Sequence, residues 1–166
     1  MQVVELQIFQ FHELDEQAKQ KAREWYRQDM DFNWNDESQD SINAFCDHFR
    51  VKLINWSIAP YCSPDYHADY FNSHFRGMKL KDFNRDHMPT GYCLDADLWE
   101  SFYDEFKKTG DAKHAFEQAL EAALCAVQRD IEYHYSDEAV DESLRINEYE
   151  FNSNGSIFTA KEMEIA

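Results

Sequence analysis

The sequence predicts an α+β domain: a mainly antiparallel sheet of four or five strands with helices packed on one face, covering residues 1–166 as a single domain. Segments with apolar residues at every second position lie near both ends, at 3–11 and 144–159, and a third lies at 51–58. Between them, apolar residues recur at spacings of three and four. Period two marks strands and the longer period marks amphipathic helices. No internal repeat and no Pro/Gly/Ser-rich linker divides the chain, so these elements are expected to share one core.

In residues 3–11, Val4, Leu6 and Ile8 alternate, then Phe9 and Phe11, which predicts a strand with a bulge near Ile8. Asp15 can cap a helix whose Leu14, Ala18, Ala22, Trp25 and Tyr26 face inward, with Lys19, Lys21 and Arg23 on the other side. Asp36 or Ser38 starts a second helix with an Ile42, Phe45, Cys46, Phe49 stripe. Ile54, Trp56 and Ile58 alternate in a second strand, Pro60 and Pro64 interrupt it, and Tyr66–Phe75 reads as a third strand ending at Gly77. Residues 78–94 have no period and hold Pro89 and Gly91, so they form the longest loop. Asp95 then precedes a helix carrying Leu98, Trp99, Phe102, Tyr103 and Phe106, closed by Thr109-Gly110. A long helix from about Asp111 to Tyr135 presents Ala112, Phe116, Leu120, Leu124, Val127 and Ile131 on one face. Ser136 or Asp137 caps a short helix through about Ser143. Leu144–Phe151 reads as a strand, Asn152–Gly155 as a turn, and Ser156–Thr159 as the returning strand.

Aliphatic, aromatic and cysteine residues make up 43% of the chain and charged residues 30%, a globular composition. The 33 Asp and Glu outnumber the 16 Lys and Arg, for a net charge of −17. Phosphate neutralisation by cations supplies most nucleic-acid affinity, so direct nucleic-acid binding is not expected. No basic leader, and no apolar run long enough to span a bilayer, is visible, so a cytoplasmic protein without a membrane partner is expected. Cys46, Cys62, Cys93 and Cys125 form no CxxC and no compact disulfide framework, and read as reduced, buried thiols, Cys125 above all.

Residues 95–166 hold 18 acidic against 6 basic residues. Glu117, Glu121, Asp130, Glu132, Asp137, Glu138, Asp141 and Glu142 follow one another there, and carboxylates four apart on a helix lie roughly 6 Å apart along its axis. Such a row can imitate part of the phosphate lattice of DNA and be steered into a cationic nucleic-acid site. A solvated face that keeps the protein soluble is the simpler alternative. A second candidate surface is the middle segment, where Arg76, Lys79, Lys81 and Arg85 follow the aromatic run Tyr61, Tyr66, Tyr70, Phe71, Phe75. This cluster, with Tyr66 and Tyr70 at its centre and His67 and His74 between its members, could stack on a partner's side chains or on bases, or its alternation could simply mark one core and one exposed face. Cys46 with His48, His67 with His74, and His87 with Cys93 lack zinc-ligand spacing, and Asp65, Asp69, Asp82 and Asp86 form no magnesium motif. No phosphate loop, dinucleotide fingerprint or nucleophile elbow is present, so no enzyme, metal or cofactor is expected.

Two stretches carry a resemblance. Phe11–Tyr26, FHELDEQAKQKAREWY, resembles the F-x-E-L-x-x-x-A-K-x-K-A-x-x-W/Y opening of small acidic proteins encoded by bacteriophages and prophages. Glu132–Phe151, with Y-S-D-E and N-E-Y-E-F, followed by Asn154-Gly155, is similar to the ending of the same group. The resemblance implies a mobile-element origin and a terminal strand-turn-strand. Some members are labelled toxin–antitoxin components, and no catalytic residues come with it.

The expected function is inhibition of a bacterial defence system, of anti-CRISPR or antirestriction type, by occupying a host protein's basic nucleic-acid-binding site with the eight acidic residues. The alternative is a phage interaction or antitoxin-like protein that binds through residues 61–85, with Tyr66, Tyr70, Arg76, Lys79, Lys81 and Arg85 as contacts.

Overall fold

The computed structural model describes residues 7–28, 30, 35–58 and 64–159. They form β1 (Phe9–Gln10), α1 (Glu16–Gln28), α2 (Asn35–His48), β2 (Lys52–Ser57), β3 (Asp65–Asp69), α3 (Cys93–Thr109), α4 (Ala112–Tyr135), α5 (Asp137–Ile146) and β4 (Glu150–Phe151). The expected four- or five-stranded sheet does not exist among them. Five α-helices carry the fold, and the strands make two separate antiparallel pairs, β1 with β4 and β2 with β3. The chain divides into two compact units: the described residues of Met1–Asp31 with Tyr133–Ala166, and those of Phe32–Glu132.

In the first unit, Asp15 caps α1 through its side chain, which accepts from Ala18 N at 2.8 Å. Ser136 caps α5 in the same way, accepting from Ala139 N. The apolar stripe of each helix closes on the other: Leu14, Ala18 and Ala22 lie in one core with Val140, Leu144, Phe11 and Phe151. Phe9 pairs with Phe151 and Gln10 with Glu150, which joins the two ends of the chain. The turn after β4 places Gly155 at φ +78°, where a Cβ would stand 2.0 Å from the backbone carbonyl oxygen of Ala18. Glycine is required there both by conformation and by space.

The second unit is built around stacked rings. Phe45 stacks on Phe116 at 5.1 Å with 2° between planes, and Phe49 meets Phe102 at 4.7 Å. Phe45, Phe49, Phe102 and Phe116 are fully buried, each burial contributing about 2–3 kcal/mol before entropy is charged against it. The α4 stripe is as the sequence predicts, with Ala112, Phe116, Leu120, Leu124 and Val127 buried and Ile131 packed beside them. Gly110 ends α3 in the left-handed conformation at φ +71°. In β2–β3 one face carries Leu53, Trp56, Tyr66 and Ala68 onto this core, and a bulge between Leu53 and Asn55 leaves Ile54 exposed.

The strand expectations fail for local reasons. Of residues 3–11, Phe9–Gln10 is strand, Phe11–Glu13 winds into a 3₁₀ turn, and residues 1–6 lie outside the described residues. Leu144–Ile146 continues α5, because Val140 and Leu144 share its buried face. The third strand stops at Asp69, whose Oδ1 accepts from Phe71 N at 2.8 Å and turns the chain two residues later. Tyr70 and Phe75 still face the core, but across a turn rather than along a strand.

Candidate functional site

The two surfaces expected from the sequence are placed differently. Glu117, Glu121, Asp130 and Glu132 belong to the second unit and Asp137, Glu138, Asp141 and Glu142 to the first. Several of them already serve the fold. Arg23, whose side chain is 9% exposed, donates from Nε and Nη2 to the two oxygens of Asp141 at 2.7 and 2.9 Å, and from Nη1 to Glu16 at 2.8 Å. The Asp141 bond, then Glu16, holds the Arg23 pKa above its ordinary value against the cost of burial. Arg27 donates to Asp137 and to the carbonyl oxygen of Tyr135, and that bond, with Arg23 nearby, holds Asp137 below the usual carboxylate range. These carboxylates tie α5 to α1. Glu117 pairs with Lys113 at 3.5 Å, Gln118 donates to Glu121, and Gln128 donates to Glu132 at 2.7 Å. Glu138 and Glu142, four apart and exposed on α5, make no ion pair with any described residue.

Tyr66 and Tyr70 are half-buried against the second core rather than displayed. Burial, and for Tyr66 the neighbouring Glu117 and Glu121, raises both phenol pKa values. Lys113 lies 4.9 Å over the Tyr70 ring. Members of the acidic and of the aromatic candidate sets therefore meet at one place on α4. Arg85 is spent within the fold: it pairs with Glu100 at 2.8 Å and Asp104 at 3.1 Å, raising its own pKa and lowering that of Asp104.

The remaining cations of the middle segment are held in a different way. Between β3 and α3 the chain runs through residues 70–92 with a single 3₁₀ turn, Leu80–Asp82. Connections of this length without regular structure are uncommon in compact domains. This one is pinned at two points to the same ring, since Phe75 stacks on Phe49 at 5.5 Å and Phe83 stacks on Phe49 at 6.0 Å. His74 N donates to Phe49 O at 2.9 Å, adding a backbone tie. Arg76, Lys79 and Lys81 lie on the arc between the two pins, exposed and with no ion pair among the described residues. Arg50, which follows Phe49 in the left-handed conformation at φ +54°, and Lys52 are exposed and likewise unpaired. Phe71, 88% exposed, stands two residues beyond Asp69, the register partner of Lys52. Arg50 and Lys52 lie outside the 61–85 segment that the sequence marks as a candidate surface, whereas Phe71 belongs to its aromatic run and is, among the described members, the one the structure leaves most exposed.

At its far end the connection is held by Asp95. This residue does not precede α3 but sits in its first turn, fully buried, accepting from Thr90 N, Thr90 Oγ1 and Gly91 N at 2.8–2.9 Å. Cys46 is the buried thiol, its pKa pushed up to about 12 by burial and then by Asp47, whereas Cys125 is half-buried and Cys93 exposed. Cys62, Tyr61 and Trp34 lie outside the described residues. Among the described residues, no three His, Cys, Asp or Glu side chains gather as a metal ion would require, and no helix is long and apolar enough to cross a membrane. No protein-family model, no curated protein and no solved structure matches the chain.

Proposed function

We propose that this chain is a non-enzymatic binding protein whose recognition element is the 76–82 arc, with Arg50, Lys52 and Phe71 beside it. The observation that carries the reading is the set of unpaired cations on that arc. In a chain with 33 carboxylates against 16 cations, Arg76, Lys79 and Lys81 make no ion pair with any described residue, while Arg85, a few residues on, pairs with Glu100, Asp104 and, at 3.9 Å, Asp86. The two pins on Phe49 hold the arc in place before any partner arrives, which lowers the ordering cost of binding. A partner surface with carboxylates around an apolar recess complements the patch: the carboxylates meet the cations and the recess takes Phe71, an exposed aromatic of the kind that anchors interfaces. Origin in a bacteriophage or prophage, with a toxin or another phage component as partner, is part of this proposal. It is supported by the resemblance of 11–26 and 132–155, of which 11–26 and 133–155 fold into one unit.

A second reading keeps one specific observation. Glu138 and Glu142 are exposed on α5 and make no ion pair with any described residue, so a smaller acidic face than the eight-residue set could still occupy a basic nucleic-acid-binding site of a host defence protein.

Affinity capture from a lysate of the organism that carries the gene, followed by binding measurements on the captured protein, separates the two. On the first reading Phe71→Ala and a Lys79→Glu/Lys81→Glu double variant each weaken binding at least tenfold, and Glu138→Lys/Glu142→Lys leaves it unchanged. The opposite pattern supports the second reading and removes the first.

A further inference from the structure

The patch that carries the proposed function contains a recess. A cavity of about 380 Å³ opens beside the C-terminal end of α2, where the chain turns into β2. Its buried side is apolar and includes Cys46 and Val51, each 2% exposed. Arg50, Lys52, Asn43 and Asp47 line its exposed side. Two cations against one carboxylate give this lining a charge of +1, in a chain whose net charge is −17.

Basic side chains just after a helix commonly serve its last carbonyl groups. Here the backbone does so instead. Cys46 O accepts from Phe49 N and Val51 N at 3.2 and 3.0 Å, and Asp47 O accepts from Arg50 N at 3.0 Å. The guanidinium of Arg50 and the ammonium of Lys52 make no hydrogen bond or ion pair with any described residue. Asn43 accepts from Gln39 Nε2 at 2.9 Å through its amide oxygen, and its N–H groups remain to donate. Three donor side chains thus line one recess, and an anion is the group they can share.

The balance of charge decides which anion. A carboxylate brings one negative charge and neutralises the lining. A phosphate monoester brings close to two and would leave an excess beside Asp47, on a molecule that already repels anions. The apolar side suits the methylene groups that carry a carboxylate in an acidic side chain. Position ties the recess to the partner surface: Lys52 is the register partner of Asp69, and Phe71 follows two residues later. A paired Cα separation of about 5.5 Å plus two extended residues puts Phe71 within roughly 13 Å of Lys52, a span of about four extended residues.

Resting on the reading above, we infer that this recess receives the carboxylate of one glutamate or aspartate of the partner, on an extended segment that also borders Phe71, and that Asp47 discriminates against a phosphorylated side chain.

The test titrates three short peptides, blocked at both ends and identical but for one central glutamate, glutamine or phosphoserine, into the ¹⁵N-labelled full chain at about pH 7.5, where the phosphate is close to dianionic. The glutamate peptide should shift the backbone amides of Arg50 and Lys52 and the side-chain amide of Asn43, and bind about tenfold tighter than the glutamine peptide. Arg50→Asn, chosen because asparagine tolerates the left-handed backbone there, and Lys52→Gln should each remove most of that difference. Asp47→Asn should raise the affinity for phosphoserine above that for glutamate. Equal binding of the glutamate and glutamine peptides, tighter binding of phosphoserine by the unmodified protein, no gain for phosphoserine in Asp47→Asn, or binding that leaves Arg50, Lys52 and Asn43 unshifted overturns the inference. If that happens while the captured partner still depends on Phe71 and the arc, the proposed function stands without the recess. A captured partner indifferent to Phe71 and the arc overturns that function, whatever the peptides do.

Discussion

The two units of this chain use the same acidic composition in opposite ways. In the first, carboxylates are part of the framework: Glu16, Asp137 and Asp141 surround the buried Arg23, and the small residues Ala18 and Gly155 bring backbones together. In the second, rings supply the cohesion, and among the described residues the charges other than the buried Asp95 stay near the surface, where three cations of one arc have no ion-pair partner. A high net charge therefore says little about which carboxylates are available to a partner. An acidic residue beside a buried arginine is already bound.

Substitutions can break this contrast at each of its supports. The largest effect is expected from Phe49→Ala, which removes a fully buried ring and both pins of the arc; unfolding in urea should show a loss of roughly 3–5 kcal/mol for the second unit. Gly155→Ala should destabilise the first unit by on the order of 3 kcal/mol, combining strain at φ +78° with the clash at Ala18, and thermal unfolding would register it. Arg23→Met should cost about 2 kcal/mol, less than a fully buried pair because the Asp137 side chain is 61% exposed; if Asp141→Leu added to it does not recover part of that loss, the ion cluster is not what joins α1 to α5.

Smaller and more graded is the response to pH, where the two units should differ in kind. Burial, then His87, lowers the His48 pKa, so the unfolded state takes up this proton first and the second unit loses stability as pH falls below about 6.5. The raised pKa of Cys46 acts at the other end: the unfolded thiol ionises near 9.0 while the folded one holds its proton to about 12, so stability falls again above pH 9. In the first unit, Asp137 is held low by Arg27 and then Arg23, and its contribution persists until pH falls below the unfolded carboxylate value near 3.8. Probes confined to each unit, such as Trp25 and Trp99 fluorescence, would separate the profiles; coincident curves would contradict the division.

The helices were legible because their signals are local. Asp15, Ser136 and Gly110 cap or stop α1, α5 and α3 as expected, and the α4 stripe needs only the spacing of six apolar residues. The sheet was not legible, because the partner of Phe9 is Phe151, and nothing near either residue in the sequence names the other. Nor does the sequence mark a boundary between the units, since one of them is assembled from both ends of the chain. For the candidate site, Arg76, Lys79 and Lys81 were readable as a cluster, whereas the capture of Arg85 by Glu100 and Asp104 depends on how the connection lies along α3.

The close approach of Gly155 to Ala18 also sets an order of events during synthesis. The second unit is contiguous and is complete once residue 132 has left the ribosome, but the first cannot close until the turn at 155 emerges, some 125 residues after α1. At roughly 5–20 residues per second that interval is on the order of ten seconds. For that time the nascent N-terminal helix, with Ala18, Ala22 and Trp25 uncovered, depends on whatever meets it first.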